Sequence, residues 1–451
     1  MKVTRTRRAF AVVAALGMTL AACGGDSDDS AADAPAPAAE EPAAEEPAAE
    51  EPADEPAAEE PADEPAAEEP AAEEPAAAPV CAELSQGASD GAIKIGTTEP
   101  LSGAAATAGE AFKAGIEAAA QAINDGGGIN GRQIELTILD DGFEAARSVG
   151  NVRRLGDEEQ VFAIVSPAGS ANLPGSWDYL SEKGLPMFGP VLPPDPDLQE
   201  VYLIGTGHSD QVRLIVDWLA GEGVTSVGLL RQDNDLGAAF KAGLEEQAPK
   251  HGIEIVAEEI VEPNSTDVSN QVLKIRDADP GAVISGADNI QTALLLDQAY
   301  DLGWDPIIIG NSSTAGPGAV GTVGAAAPEA AEGFYGSAIL SFTNEQSDAV
   351  LAYRAAMDAA GHGDLADNSF GLQGYAHSII FYAALESMGD DLCWDNLHAT
   401  LESMENFETG LVAPVTFGPL PGGHSGTSGA RIAQYTGGEW EFITGFLNPM
   451  D

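Results

Sequence analysis

The stretch "GGGINGRQIELTILDDG", residues 126–142, decides the fold. Gly126, Gly128 and Gly131 fall on G-x-G-x-x-G, and Asp140 and Asp141 close a hydrophobic run. A dinucleotide fingerprint needs its glycines after a strand and before a helix, so that the helix N-terminus meets the phosphates. Here the order is reversed. Ahead of the glycines, "AGEAFKAGIEAAAQAIND" places Phe112, Ile116, Ala119 and Ile123 on one helical stripe. Behind them, "QIELTILD" alternates Ile134, Leu136 and Ile138 with Glu135 and Thr137, as a strand with one drier face does. The glycines therefore read as a helix C-cap at 126–128 and a turn at Gly131, not as a phosphate cradle. Two adjacent aspartates cannot build a metal site alone, so Asp140 and Asp141 are expected to cap their loop.

The same alternation extends in both directions. "AIKIGTTEP" reads as a first strand and "EAARSVGNVRRLGDE" as a helix; "VFAIVSP", "SANLPGSWDYLSEKG" and "LPMFGP" then read as strand, helix and strand. A second set follows "VYLIGTGHSDQ": the strands "SVGLLRQD", "IEIVAEE", "GAVISGAD" and "DPIIIGNSS" alternate with three helical patterns. After Gly333 come one strand-like run, "GFYGSAILSF", three helical patterns to Phe407, and the strand-like "APVTFGP" and "ARIAQYTGGEWEFI". Repeated β-α units demand parallel sheets with helices on both faces. The expectation is an α/β chain of two successive lobes, the leftover C-terminal part returning to finish both.

The first 80 residues have another character. Lys2, Arg5, Arg7 and Arg8 precede a 14-residue apolar run, too short to span a bilayer, which ends in Leu20-Ala21-Ala22-Cys23-Gly24. Residues 1–22 are expected to be an export signal whose end resembles the lipobox of bacterial lipoproteins, with Cys23 acylated. Arg7-Arg8-Ala9-Phe10 also resembles a twin-arginine signal. Residues 24–80 are built on "EEPAA" and "DEPAA", with 20 acids and no base. Regular proline, charge repulsion and the lack of core residues point to a disordered tether over 23–80, reaching about 40 to 175 Å.

Removing that stretch's 20 acids from 73, and the leader's four bases from 19, leaves the body near −38. Such a surface repels nucleic acid and anionic lipid. The acids are spread evenly, which points to solubility rather than a cation site. Cys81 and Cys393 remain in an exported, oxidising setting, where a disulfide is expected over two free thiols.

The residues also resemble a known family. "IKIGTTEPLSGAAATAGEAFKAGIEAAAQAINDGGGINGRQIELTILDDG" is similar to the start of the branched-chain-amino-acid type of solute-binding protein, the receptors of ABC importers with the type I periplasmic-binding-protein fold. "VFAIVSPAGS", "GTGHSDQ", "PNSTDVSNQVLKIRDADPGAVISG", "ALLLDQAYDLGW" and "EGFYGS" follow in the family's order. The resemblance implies two doubly wound parallel-sheet lobes of strand order 2-1-3-4-5 joined by a three-segment hinge. Lobe I would comprise residues 91–205 plus about 341–418, and lobe II residues 206–340 plus about 419–451. The hinge would lie near 201–205, 337–342 and 416–432. The family pattern also puts the helix after Cys393 in the lobe that starts near Cys81.

Ligands lie outside the carboxyl ends of parallel strands. The binding loops are thus expected at 100–103, 167–170 and 190–193 in lobe I, and at 233–236, 286–289 and 311–313 in lobe II. Carried over by resemblance, the family's carboxylate-binding serine falls on Ser170, whose hydroxyl and neighbouring amides suit an oxyanion; capping the next helix is the plainer role. The acid that holds an α-ammonium falls on Ser312, the aromatic wall positions on Ala108, Leu236 and Ala287, and the ammonium-binding threonine near Pro193. Ser102, Ala168, Val191 and Asp288 complete the expected ligand set. Asp233, Asp235 or Asp288 would be a displaced acid, or merely a solvated loop residue. A pocket with these departures is expected to prefer a small carboxylate or amide over leucine, isoleucine or valine.

No catalytic constellation accompanies this pattern. His208, His251, His362, His377, His398 and His424 lack metal-ligand spacing, "GHSGTSG" is not a nucleophile elbow, and His362 and Asp364 read as a turn. Trp177, Tyr179, Trp218 and Trp304 sit in helical patterns as core residues. The expectation is no enzyme, cofactor or metal, but an extracytoplasmic monomer held to the membrane only through Cys23. It would capture a small solute for ABC permease subunits. A sensing module for a signalling partner is the alternative.

Overall fold

The computed structural model describes residues 81–450 apart from 169–172, 191–196, 264 and 318–327. The leader, the acidic stretch with Cys23, and Ser170, Val191 and Pro193 lie outside the described residues. None of the described helices is long and apolar enough to cross a membrane.

Strand β1 (Ala92–Glu99) is almost wholly buried because it lies inside a sheet covered on both faces. It pairs in parallel with β2 (Gln133–Asp140) and β3 (Ala163–Val165); β4 (Met187–Phe188) and β5 (Val201–Tyr202) complete the order β2-β1-β3-β4-β5. As the edge strand, β2 leaves Glu135 exposed while Ile134 is buried. Helices α1 (Ala106–Asp125), α2 (Ala145–Asp157) and α3 (Trp177–Lys183) form the crossovers.

Between α1 and β2 the glycines turn the chain. Gly127 and Gly128 have φ of 106° and 79°, and Gly131 has 84°. These left-handed conformations need glycine, and no phosphate cradle forms. Asp140 and Asp141 do cap their loop. Asp140 accepts from the Leu101 and Gly142 amides at 3.0 and 2.8 Å, and Asp141 accepts from the Phe143 amide, Thr98 and Ser148. The Ser102 hydrogen bond, then the Gly142 amide and Arg147, hold the Asp140 carboxyl down at about 2.

The second sheet repeats the plan. Strands β6 (Ser226–Gln232), β7 (Glu254–Val261), β8 (Ala282–Gly286), β9 (Ile307–Gly310) and β10 (Tyr335–Ala338) run parallel in the order β7-β6-β8-β9-β10. The antiparallel hairpin of β11 (Arg431–Thr436) and β12 (Glu439–Phe442) extends that edge. Helices α4 (His208–Gly221), α5 (Asp235–Gln247), α6 (Ser269–Asp277), α7 (Asn289–Asp301) and the short α8 (Pro328–Ala331) belong here.

The C-terminal third returns to the first sheet through α9 (Asp348–Ala359), α10 (Ser369–Met388) and α11 (Trp394–Glu402). Their Tyr353, Leu372, Ile380, Phe381 and Leu397 share one buried core with Ile93, Ile95 and Phe188. Helix α10 packs close to α1 because glycines meet there: a Cβ on Gly115 would lie 1.9 Å from the Gly371 carbonyl oxygen, and one on Gly374 2.7 Å from that of Phe112. Trp177, Trp218 and Trp304 pack at the margins of buried clusters and Tyr179 within one, as core residues should.

Three segments cross between the sheets. Leu203 donates to His424 O at 2.8 Å and accepts from Gly426 N at 3.0 Å; Gly205 N donates to Thr427 Oγ1, and Ser341 N to Leu411 O. One expectation fails here. "APVTFGP" is not a strand: among the described residues its Val415 makes a single bridge, to Phe407, as the preceding Val412 does to Leu340. Pro414 has no amide to donate, and Gly418, Pro419 and Pro421 follow at once, so a ladder cannot propagate.

Cys81 and Cys393 are joined, with Cα atoms 5.8 Å apart across 312 residues of sequence. In the chain-entropy model so long a loop contributes roughly 5 kcal/mol, less any strain. Thiol titration of the mature protein, unfolded without reductant and with Cys23 acylated, should find none; two thiols per chain would refute the bridge.

His377 of α10 is fully buried, its Nδ1–H donating to Gly189 O at 2.8 Å. Burial pushes the imidazole from 6.5 down to about 4, against the opposing pull of that carbonyl. The unfolded chain therefore takes up this proton first, and stability falls as pH drops from about 6.5 towards 4. The loss at pH 5 should be on the order of 2 kcal/mol relative to pH 7.5. Urea melts of His377→Gln should show a shallower decline over that range; an unchanged slope would mean another group sets it.

Candidate ligand-binding cleft

The lobe II wall is built on buried amides. Gln232, at the end of β6, donates to Asp288 Oδ2 at 3.0 Å and Gln291 Oε1 at 2.9 Å, and its own Oε1 accepts from Asn234 Nδ2 at 2.9 Å. Asn234 in turn caps α5, accepting from Gly237 N. Gln211 of α4 does the same nearby: its Oε1 accepts from Ser312 N and Ser337 Oγ, both at 3.1 Å, and its Nε2 donates to Thr206 O. Asn311 donates to Ala287 O at 2.8 Å and accepts from Ser313 N. Fixed amides of this kind leave the strand-end loops little freedom, since each lost bond would strand a buried polar atom.

These loops line a cleft of about 910 Å³. His208, Asn234, Leu236, Asp288, Asn289, Ser312 and Ser313 form the lobe II side, and Ala338, Ile339, Leu340 and Phe342 the hinge side. The opposite wall is Asp364, Leu365, Asp367, Asn368, Ser369, Phe370 and Gln373, the approach to α10 and its first turns. Asn368 caps α10 by accepting from Phe370 N at 3.0 Å, and Phe370 leans on Phe112 with ring centroids 5.1 Å apart.

The cleft is acidic. Its described lining holds three aspartates and no lysine or arginine. Asp367 is paired with Arg354 at 2.6 Å, whereas among the described residues Asp288 accepts from the Gln232 amide alone. Burial lowers the pKa of His208, with Asp288 pulling the other way, which disfavours a positive charge there. No group of three or more acids, histidines or cysteines among the described residues is placed to hold a metal.

The expected site residues divide accordingly. Leu236, Asp288 and Ser312 line the cleft. Ala287 is fully buried beneath Asn311, so its strand end presents Asp288 instead. Ser102 gives its hydroxyl to Asp140 at 2.7 Å, Ala108 sits half-buried in the first turn of α1, and Ala168 is buried with its amide on Thr98 O. Asn289 lies in the expected loop 286–289, whereas sequence reasoning missed His208, Phe370 and Gln373 and read Asp364 only as part of a turn. The available signal was a glutamine inside a helix otherwise rich in apolar and small residues.

Two α/β lobes with a cleft at strand ends and a crossed, three-segment connection behind it define a two-lobed solute-binding protein. The family model described as periplasmic binding protein matches residues 92–439, and the chain belongs to that family. It is 27% identical over 224 residues to Leu/Ile/Val-binding protein homolog 3 of Brucella melitensis, a match covering 48% of this chain and 60% of that protein. The chain thus spans about 60% of the length of that curated relative. Among solved structures it is similar to the branched-chain amino acid transporter substrate binding protein of Streptococcus pneumoniae in complex with isoleucine, with a TM-score of 0.63 and 23% identity over 78% of this chain and 99% of that one. It is also similar to a fatty acid ABC transporter substrate-binding protein of Thermomonospora curvata, with a TM-score of 0.63 and 21% identity over 81% and 95%. At these identities the likeness carries the fold, and the two ligand classes named show that the fold does not choose the ligand.

Proposed function

We propose that the protein is a lipid-anchored extracytoplasmic receptor that closes its two lobes on a small solute and hands it to the permease of an ABC importer. The observation that carries this reading is the cleft, which faces a polar wall from each lobe across an apolar hinge side. Family membership supports the extracytoplasmic setting, and the lipobox-like end at Cys23 supports the anchor. The solute is an amino acid, an amide or a small carboxylate. The acidic described lining favours a ligand that brings N–H donors over a bare anion, which Asp288 would repel.

Thermal-shift screening of the detergent-extracted protein against these classes should raise the melting temperature for one of them, since a ligand at 100 times its Kd stabilises by about 2.7 kcal/mol. Small-angle scattering at saturation should then show a smaller radius of gyration, because crossing segments absorb lobe closure with modest backbone changes. Binding with an unchanged scattering curve would refute the clamp.

The anchor has its own test. Cys23→Ser should move the exported protein out of the lipid-modified membrane fraction. Unchanged incorporation of labelled fatty acid would show that Cys23 is not the acylated residue.

A further inference from the structure

Two polar side chains in the cleft are left with unfilled hydrogen-bonding capacity, one on each wall. Gln373 is 5% exposed, lines the cleft from α10, and its carboxamide has no hydrogen-bond partner among the described residues. Asn289 lines the cleft from the first turn of α7, and its buried Oδ1 has no donor. Buried amides are ordinarily paired, because an orphaned donor or acceptor carries its whole desolvation cost. Asn289 Oδ1 is such an orphan, whereas the unpartnered Gln373 carboxamide keeps contact with the cleft, and a ligand held by the proposed clamp would meet both.

The atoms left open restrict what can fill them. Asn289 Oδ1 and Gln373 Oε1 accept, whereas Asn289 Nδ2 and Gln373 Nε2 donate. A carboxylate brings only acceptors, leaving Asn289 Oδ1 unpaired and meeting Asp288 with like charge. An alkylammonium brings only donors, leaving Gln373 Nε2 unpaired. A primary carboxamide serves both kinds: its two N–H bonds go to Asn289 Oδ1 and Gln373 Oε1, and its carbonyl accepts from Gln373 Nε2. The apolar body then lies on Leu236, Phe342, Leu365 and Phe370.

We propose that Gln373 and Asn289, one from each lobe, together select a solute ending in a primary carboxamide. This rests on the receptor reading above and narrows it to one ligand class and two specificity-determining residues.

Isothermal titration of the full-length, detergent-extracted protein with isovaleramide, isovalerate, 3-methylbutylamine and leucine tests it, the first three sharing one branched tail. The amide should bind at least about tenfold tighter than the other three. Gln373→Leu, similar in size and a good helix former, should weaken amide binding by about tenfold or more and bring the tail-matched trio within about threefold of one another. Gln373→Glu keeps the acceptors and length but removes the donor, and should lose the same preference; Asn289→Ala should weaken the amide more than the acid. Acid, amine or leucine binding as tightly as the amide overturns the proposal. So does amide affinity within about threefold of wild type in both Gln373→Leu and Asn289→Ala. If none of the four binds at about 10 mM while another solute of the wider screen does, the amide assignment falls and the receptor reading stands.

Discussion

The close packing of α1 on α10 is the constraint on which the architecture depends. It joins a helix from the start of the body to one more than 240 residues later, and glycine is what allows the backbones to meet. Any side chain at Gly115 would have to displace the Gly371 carbonyl. That contact closes the core of the first lobe, and it carries the N-terminal turns of α10 to the mouth of the cleft. Phe370, Gln373 and the cap Asn368 therefore owe their positions to main-chain proximity at Gly371 and Gly374, within a turn of each of them.

The opposite wall is held by another device. Gln211 and Gln232 are buried amides that each bind several elements at once, and both use donor and acceptor. An amide in this role fixes the strand-end loops without adding charge to an already acidic molecule, and so leaves the cleft's electrostatics to Asp288 and Asp364.

Much of the fold was legible because its signals are local. Strand and helix periods, the glycine turn at 126–131 and the two aspartates after β2 all act within a few residues; the strand order of the parallel strands, which came from the family resemblance, also follows the expected pattern. The lobe II half of the cleft was legible through the strand-end rule, which led to Leu236, Asp288 and Ser312. The other wall was not, because no periodicity says where a helix near residue 370 will dock on a sheet begun near residue 92. The expectation of a strand at "APVTFGP" failed for a different reason: alternation of side chains was present, but proline removed the amides that a ladder consumes.

The bridge from Cys81 to Cys393 has a mechanical meaning. Ser85 reinforces it, its amide donating to Leu392 O and its hydroxyl accepting from Trp394 N, both at 3.0 Å. A pull applied N-terminal to Cys81 would meet this staple before it reached β1. Such a load would be shared with the half-buried start of α11 in the first lobe's helical layer, instead of peeling a central strand from its sheet. Under the proposed anchoring at Cys23, the first lobe would be the mounted half of the receptor and the second its moving jaw.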